Sequence, residues 1–464
     1  MSRRNFLLAC WLTLLALGGG SRAAPVGIQT WIESGTRWVA LGDSITQGGS
    51  YHQQVELFLL TRHPEQTITV INAGVSGDTA AGALTRLDWD VLAHQPSVVS
   101  LMFGMNDVSR YLYAPGVPDG KTLAQRKANI ATWEKNVRAL VARLQGRNIH
   151  VILCTPSPYD ENVQSSTPNQ PGVDTALQEC AERVIEIARE SGAAVVDFHG
   201  PLTIKNKELQ QKDPNATLIG PGRVHPGPIG HLIMAYLILK AAGQSATVAK
   251  LVVDVTTTQH AGSERCQISA LQRVGGGVAF TAREDALPFV VGAEARGGLE
   301  FVPFGQELNL EILQVRGLSG HFEVRIDDET VGAFSAEQLA HGVDLAALPQ
   351  TPQLRQANEV LACLRRKWSA VAKLRNVAYC EYRAWAGETR PVDAALMPEK
   401  LDHWLTKLRQ DSSFRYIEGE AKQYIVNKRN EAALIAEVDD WTIRARGTAI
   451  PRPHRFVVRP LEGK

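Results

Sequence analysis

The stretch "VALGDSIT" at residues 39–46 decides the fold, because a run of apolar residues ends abruptly at Gly42-Asp43-Ser44. Such a run is typical of a strand that is buried on both faces of a sheet. Two interpretations of its end are open. Glycine, aspartate and serine are ordinary turn and helix-capping residues. Alternatively, Ser44 is a nucleophile held at the carboxyl end of a strand, where Gly42 lets the turn close tightly.

Apolar runs and amphipathic stretches alternate from there as far as Gly243. The predicted strands are residues 38–41, 67–73, 97–103, 150–154 and 193–198, and the predicted helices are residues 51–61, 79–93, 125–145, 173–191 and 230–242. This alternation predicts a three-layer α/β/α domain over residues 27–246, with a parallel five-stranded sheet. Active sites of such domains lie beyond the carboxyl ends of the strands.

A β-rich domain is predicted over residues 250–347, where apolar and polar residues alternate. The segments "ELNLEILQV" (residues 307–315) and "HFEVRID" (residues 321–327) are joined through the turn residues Leu318-Ser319-Gly320, which predicts antiparallel hairpins. The sequence Ser335-Ala336-Glu337-Gln338 has the form of a capping box and predicts the start of a short helix.

Residues 350–464 are predicted to be a helical C-terminal region. One apolar helix face is formed by Leu354, Ala357, Leu361, Leu364, Trp368 and Val371, and a second by Leu401, Trp404, Leu405 and Leu408. These faces must pack on the neighbouring domains or on a partner subunit, and both alternatives are open. A structural or docking role is the default for a region without a chemical motif.

The composition excludes partners that are recognised by bulk charge. The chain has 464 residues, 21% of them charged, with a formal net charge of +1. Nothing in this balance calls for nucleic acid or an anionic membrane as a partner. Function must therefore reside in a local site.

The first 24 residues are predicted to be a signal peptide. A basic start is followed by a short apolar run at residues 7–17 and then by small residues, and cleavage is expected after Ala23. The apolar run is too short to span a bilayer, so no integral membrane segment is expected in the mature chain. The prediction is an exported protein, periplasmic or secreted, and the pair Arg3-Arg4 leaves the general and the twin-arginine export routes both open.

Five cysteines would remain in the exported chain: Cys154, Cys180, Cys266, Cys363 and Cys380. None belongs to a Cys-x-x-Cys pair, so neither a zinc site nor a redox dithiol is expected. A Cys363–Cys380 disulfide suits an exported protein. It is excluded, however, if both residues lie on one continuous helix, because their separation would then be too large.

Three further motifs fall where the predicted sheet presents its carboxyl ends. "NAGVSGDT" (residues 72–79) follows the second predicted strand, "FGMND" (residues 103–107) follows the third, and "GRVHPGPIGH" (residues 222–231) precedes the last helix. Together with Ser44 they supply a hydroxyl, a glycine amide, an asparagine amide and an imidazole. These are the groups that acyl transfer requires: a nucleophile, oxyanion donors and a general base.

In order and spacing, the four motifs resemble the signature blocks of the SGNH/GDSL hydrolases, a family of α/β/α esterases. The resemblance covers residues 38–243. It implies that Ser44 is the nucleophile and that the Ser44 amide, the Gly77 amide and the Asn106 side chain form the oxyanion hole. It also implies that His225 is the general base, with no metal and no cofactor. Taken singly, Gly77 is a turn, Asn106 a loop cap and His225 a solvated histidine, while the nearby His231 is expected to cap or pack.

One position departs from the family pattern. The family has an aspartate three residues before the catalytic histidine, and this chain has Gly222 there. Three interpretations are open: a main-chain carbonyl orients His225, another acid such as Asp213 or Asp197 reaches it, or the protein is a weakened or inactive relative.

The resemblance implies an exported carboxylic ester hydrolase that acts through an acyl-serine intermediate. Acetylated polysaccharide is the preferred substrate class, and lipid or aryl esters come next. The alternative is a catalytically weakened or inactive module that binds carbohydrate or a protein partner; Gly222 favours it, and the four retained groups oppose it. The expected partner is a small-molecule or polysaccharide ester, with no nucleic acid, and the oligomeric state is left open.

Overall fold

The computed structural model describes residues 32–260, 262–385, 395–411 and 413–461. The predicted signal peptide, its cleavage site and Cys10 lie outside the described residues. None of the described helices is both long enough and apolar enough to cross a membrane.

The first region is a five-stranded parallel sheet between layers of helices, with strand order β2-β1-β3-β4-β5. The strands are β1 (Arg37–Gly42), β2 (Thr69–Gly74), β3 (Val98–Met102), β4 (His150–Cys154) and β5 (Ala194–Val196). The helices are α1 (Ser44–Gln47), α2 (Tyr51–Arg62), α3 (Ala80–Asp90), α4 (Gly120–Gln145), α5 (Val173–Ser191), α6 (His199–Lys212) and α7 (Pro228–Ala241). The predicted α/β/α fold is confirmed. The near-continuous apolar strands are buried because helices cover both faces of the sheet.

Helix α6 was not predicted. Its buried positions are His199, Leu202 and Asn206, so only one of them is a large apolar residue. Such a helix has no apolar stripe for sequence periodicity to detect.

The β-rich region consists of two further sheets with an apolar core between them. Its elements are β6 (Thr247–Asp254), β7 (Cys266–Val274), β8 (Gly277–Glu284), α8 (Phe304–Leu308), β9 (Leu310–Arg316), β10 (His321–Ile326), β11 (Glu329–Ser335), α9 (Ala336–His341) and β12 (Val343–Asp344). The predicted hairpin across Leu318-Ser319-Gly320 is wrong, because β9 pairs with β6 in parallel while β10 pairs with β11 in the other sheet. The turn residues mark a crossing between sheets, which alternation alone does not distinguish from a hairpin. The predicted capping box is present at Ser335 and Gln338.

The C-terminal region is helical except at its end. Its elements are α10 (Pro352–Trp385), α11 (Met397–Lys407), α12 (Phe414–Arg429), α13 (Glu431–Ala449) and β13 (His454–Pro460). Strand β13 inserts between β8 and β10 of the β-rich region, so residues 454–460 form a strand within the region predicted to be helical. A single strand that enters a sheet built by distant residues has no local turn signal to reveal its partner.

The apolar face of α10 packs on the first region of the same chain. Ala357, Leu361 and Leu364 join the core of the α/β/α domain, and further along the helix Val377 and Cys380 pack with Val75. Cys363 and Cys380 therefore lie on one helix, and the five described cysteines are free thiols. Of the two alternatives left open for Cys363 and Cys380, the structure excludes the disulfide, because one continuous helix keeps the two residues too far apart.

Candidate active site

Ser44 is the first residue of α1, directly after strand β1. Asp43 caps this short helix, and its Oδ1 accepts a hydrogen bond of 2.9 Å from the Ile45 amide. Gly42 is required by close packing, since a Cβ there would lie 2.2 Å from Thr46 Oγ1. The half-buried serine hydroxyl is thus fixed at the carboxyl edge of the sheet, as the sequence predicts.

His225 lies beside Ser44, on the loop before α7, which we call the histidine loop (residues 220–227). The distance from Ser44 Oγ to His225 Nε2 is 2.8 Å. This is hydrogen-bond geometry between a hydroxyl and an imidazole, and it is the contact that a general base needs. Two residues that are 181 positions apart in the sequence therefore form one pair.

Gly77 lies on the loop after β2, the glycine loop (residues 74–78). Its φ of +69° is one that glycine adopts without the strain of a side chain. Among the described residues, no acceptor is bonded to its amide, so this donor is available at the surface of the site. The Ser44 amide is also free of an intrahelical partner, because it belongs to the first turn of a helix.

Asn106 lies on the loop after β3, the asparagine loop (residues 103–110). Its Nδ2 donates to Asp78 O at 2.9 Å and to Asp43 Oδ2 at 3.3 Å. These bonds join the loop to the neighbours of Gly77 and of Ser44. The structure thus brings together all four residues that the sequence predicts for the site.

The third member of a serine–histidine–acid triad is absent from the described residues around His225. Its Nδ1 has no hydrogen-bond acceptor there, whether a carboxylate or a main-chain carbonyl. Asp213 accepts from the Asn215 amide in a turn, and Asp197 accepts from Thr155 and from the Gly200 amide. Neither acid reaches the imidazole.

The electrostatic surroundings keep His225 neutral. Partial burial of the ring and the nearby Arg110 guanidinium lower the pKa of His225 below its usual value of 6.5. A neutral imidazole at neutral pH can accept a proton from Ser44. The imidazolium that would then form has no described carboxylate to stabilise it.

Two buried acids beneath the site were missed by the sequence analysis. Burial raises the pKa of Asp43 and of Asp107 to about 7 each. Asp107 Oδ1 accepts from the Ala80 amide at 2.9 Å, whereas its Oδ2 has no partner among the described residues. Both residues are part of the motifs "GDS" and "GMND", but only the structure shows that they lie near each other and near Asp78.

Helix α10 contacts the glycine loop from the outside. The buried Arg375 donates to Gly74 O at 2.9 Å and forms an ion pair of 2.6 Å with Asp90. Tyr382 donates its hydroxyl to Asp78 Oδ1 at 3.1 Å, and Arg383 donates to Ser76 O. Sequence reasoning missed all three residues of the helix, because their partners lie about 300 positions earlier in the chain.

A cavity of about 680 Å³ is lined by Asn106 and Arg110 of the asparagine loop and by Gly222 and Val224 of the histidine loop, directly before His225. Asp411 from the C-terminal region also lines it. Another cavity, of about 750 Å³, lies beside Phe289 and α10 and contains none of the four predicted site residues. We therefore take the first cavity as the substrate cleft.

No group of three or more His, Cys, Asp or Glu residues in the described parts of the chain is arranged to hold a metal ion. His231 is buried within α7 and stacks on Tyr51, with ring centroids 5.9 Å apart. It packs, as the sequence predicts, and takes no part in the site.

The model of the GDSL-like lipase/acylhydrolase family matches residues 40–233, which contain all four motif residues. These residues form a GDSL-like lipase/acylhydrolase domain. The resemblance inferred from the motifs is thereby confirmed. The residues that contact the glycine loop from α10 lie outside the GDSL-like domain.

Known proteins resemble both the GDSL-like domain and the longer chain. An acetylxylan esterase of Geobacillus stearothermophilus is 29% identical over 227 residues, covering 46% of this chain and 96% of the esterase. The crystal structure of that organism's acetylxylan esterase covers 46% of this chain and 96% of its own, at 28% identity and a TM-score of 0.38. A gut microbial diltiazem-metabolizing enzyme is 29% identical, with a TM-score of 0.83, covering 92% of this chain and 98% of its own. This last similarity extends through the β-rich and helical regions. The family and the esterase relative support a carboxylic ester hydrolase.

Proposed function

We propose that this protein hydrolyses carboxylic esters through an acyl-serine intermediate on Ser44. The observation that carries the proposal is the 2.8 Å hydrogen bond between Ser44 Oγ and His225 Nε2 at the edge of the sheet. A hydroxyl alone is a weak nucleophile, and an adjacent base activates it.

The first half-reaction follows from this contact. Nε2 of neutral His225 takes the Ser44 proton while Oγ attacks the ester carbonyl carbon. Collapse of the tetrahedral intermediate expels the alcohol, which takes the proton from the imidazolium. A water molecule, deprotonated by the same nitrogen, then attacks the acyl-serine and releases the carboxylic acid and free Ser44.

The oxyanion would be held by the Ser44 amide, the Gly77 amide and Asn106 Nδ2. Two of these are backbone donors fixed by a helix start and by a left-handed glycine. Asn106 donates to Asp43 through a long bond of 3.3 Å, and a developing oxyanion would compete for that hydrogen. Donors placed in advance stabilise the transition state by several kcal/mol in related chemistry, about 3 kcal/mol for one donor.

The substrate class that we favour is a short-chain ester, above all an acetyl ester on a carbohydrate. The acetylxylan esterase relative supports this choice. The basic and apolar N-terminal sequence supports export, which would place the enzyme where polysaccharides occur. The diltiazem-metabolizing relative adds diltiazem itself as a substrate to test.

A serine-directed fluorophosphonate tests the proposal most directly. We expect covalent labelling of the wild type and hydrolysis of p-nitrophenyl acetate, with acetylated xylan, acetylated pectin and diltiazem as further substrates. Ser44→Ala should abolish labelling and lower kcat/KM by about 10⁴-fold or more. Ser50→Ala, a change of the same kind six positions further on, is the matched control and should retain both.

A non-catalytic module that binds carbohydrate or a protein partner is the second candidate. The observation that favours it is the unpartnered Nδ1 of His225 beside Gly222 in the described chain. Wild-type protein that binds acetylated xylan, resists the fluorophosphonate and leaves every ester intact would establish this candidate and refute the first.

A further inference from the structure

Arg110 is a half-buried cation with no acidic partner among the described residues. Its Nη1 donates to Met105 O at 2.8 Å and makes a longer contact of 3.4 Å with Asn106 Oδ1. No ion pair is formed by this guanidinium in the described parts of the chain, and its Nε and Nη2 have no acceptor there. Three of its five N–H donors therefore remain unused.

An unpaired cation is costly at this position. Burial lowers the pKa of the Arg110 guanidinium, although the group stays charged at neutral pH. Asp43 is close enough to interact with it electrostatically, but the pKa of Asp43 is itself about 7. The carboxyl is therefore only partly ionised at neutral pH and does not fully compensate Arg110. A charge that is partly removed from water is favoured by a counter-charge, so the unpaired Arg110 that faces a cleft points to an anionic ligand.

The free part of the guanidinium lies in the substrate cleft. Arg110 and Asn106 both line the 680 Å³ cavity, so the charge lies on the same loop as the predicted oxyanion donor. Tyr111, with 74% of its surface exposed, offers an aromatic face in the same cavity. Asp411 also lines this cavity and carries a negative charge, since hydrogen bonds from Ser413 lower its pKa.

We propose that Arg110 is a specificity-determining residue that binds a carboxylate on the ester substrate, and that the substrates are acyl esters of sugar acids such as uronates. This rests on the proposed function. A guanidinium presents two parallel N–H groups that match a carboxylate, and the exposed face of Tyr111 suits a sugar ring. Asp411 lines the same cavity and would repel a second negative charge, which favours a substrate with a single carboxylate over a densely charged polymer.

A matched pair of substrates tests this assignment: acetylated methyl glucuronide and acetylated methyl glucoside, which differ only in the carboxylate. We expect the wild type to prefer the glucuronide by about tenfold in kcat/KM, the effect of one charge-assisted contact. The preference should disappear in Arg110→Gln and partly survive in Arg110→Lys. In Asp411→Asn, which removes the opposing charge, it should persist or increase. Equal rates in the wild type, or an unchanged preference in Arg110→Gln, would overturn the proposal.

Binding separates this inference from the proposed function. In the Ser44→Ala background, calorimetry should show tighter binding of the glucuronide, and the added Arg110→Gln change should remove the difference. If the wild type cleaves no ester but Ser44→Ala shows this binding preference, the esterase proposal fails and the Arg110 assignment stands. If p-nitrophenyl acetate is cleaved while both sugars bind equally, the Arg110 assignment fails and the esterase proposal stands.

Discussion

The glycine loop and the asparagine loop lie side by side and are held in different ways. The asparagine loop is held from within the GDSL-like domain, by bonds such as Arg110 to Met105 O and Ala80 to Asp107. The glycine loop is held in addition by α10, from residues 301 to 307 positions later in the sequence. The position of Asn106 therefore depends on contacts within the GDSL-like domain. The position of Gly77 depends in addition on α10, which lies outside that domain. The C-terminal region contacts a loop of the candidate active site as well as covering apolar surface.

Replacing Arg375 should cause the largest loss of stability among the α10 contacts to the glycine loop. Arg375→Met takes away two hydrogen bonds to Gly74 O and one buried partner of Asp90. Breaking a buried ion pair from one side costs about 3 kcal/mol or more in free energy of unfolding. Urea denaturation followed by circular dichroism measures it. Arg143→Ala breaks an exposed ion pair with Asp88 and should cost less than about 1 kcal/mol. Equal losses in the two variants would contradict the role assigned to α10.

Removing Arg383 should lower the rate of catalysis more than it lowers stability. Arg383→Ala deletes the bond to Ser76 O, next to the Gly77 donor. A misplaced oxyanion donor acts on the transition state, so kcat should fall by about tenfold with little change in KM. Arg365→Ala on the same helix breaks only an exposed pair with Glu294 and should retain the wild-type kcat. A normal kcat in a well-folded Arg383→Ala protein would show that the asparagine loop and Ser44 suffice.

The histidine loop differs from both of these loops. Among the described residues, the imidazole of His225 is hydrogen-bonded through Nε2 and has no acceptor at Nδ1. Gly222→Asp should raise kcat by about tenfold, since a carboxylate would fix the tautomer and stabilise the imidazolium. The structure favours this change: a Cβ on Gly222 meets no atom within 4 Å, and its φ is outside the left-handed region. Steady-state kinetics with p-nitrophenyl acetate measures the gain. The opposite pattern, no gain there and a collapse of activity in Asp213→Asn or Asp197→Asn, would show that a distant acid orients His225.

Asp107 tests the electrostatics beneath the asparagine loop. Its raised pKa means that the folded protein keeps a proton that the unfolded chain releases above pH 3.8, so stability falls as the pH rises from about 4 to about 7. Asp107→Asn does not ionise, so its free energy of unfolding relative to the wild type should increase as the pH rises over this range. Thermal unfolding of both proteins at pH 4 and pH 8 gives the difference. A gap that stays constant with pH would contradict the shifted pKa.

The smallest predicted effect is the shift that Arg110→Gln should cause in the pH dependence of hydrolysis. Because the pKa of His225 is lowered, the imidazole should stay neutral, and hydrolysis continue, to a lower pH than with an ordinary histidine. Arg110→Gln removes one cause of the lowering, so the acidic limb of the kcat/KM profile should move to higher pH by less than about one unit. If the acidic limb moves to lower pH or does not move, Arg110 does not lower the pKa of His225.

The motifs predicted Ser44, Gly77 and Asn106 because their loops follow strands of one parallel sheet, and such strands end at the same edge. His225 lies on the loop between α6 and α7 and was predicted from its motif and the family resemblance. The motifs could not predict Arg375, Tyr382 or Arg383, since nothing in α10 marks its contact with the glycine loop. They left the orientation of His225 undecided, and the structure excludes Asp213 and Asp197 as hydrogen-bond partners in the described chain. The hairpin predicted through Leu318-Ser319-Gly320 failed because alternation reports which faces are buried but does not report the pairing partner.

The sequence by itself determined the α/β/α fold and the candidate nucleophile, oxyanion donors and base. Apolar periodicity and turn chemistry are local properties, and the loops after parallel strands all lie at the carboxyl edge of the sheet. Only the tertiary structure decided that α10 holds the glycine loop, that β13 completes a distant sheet and that Arg110 faces the cleft without an acidic partner in the described chain. These features arise from contacts between residues far apart in the chain, where burial and charge depend on the groups that the folded protein places around each side chain.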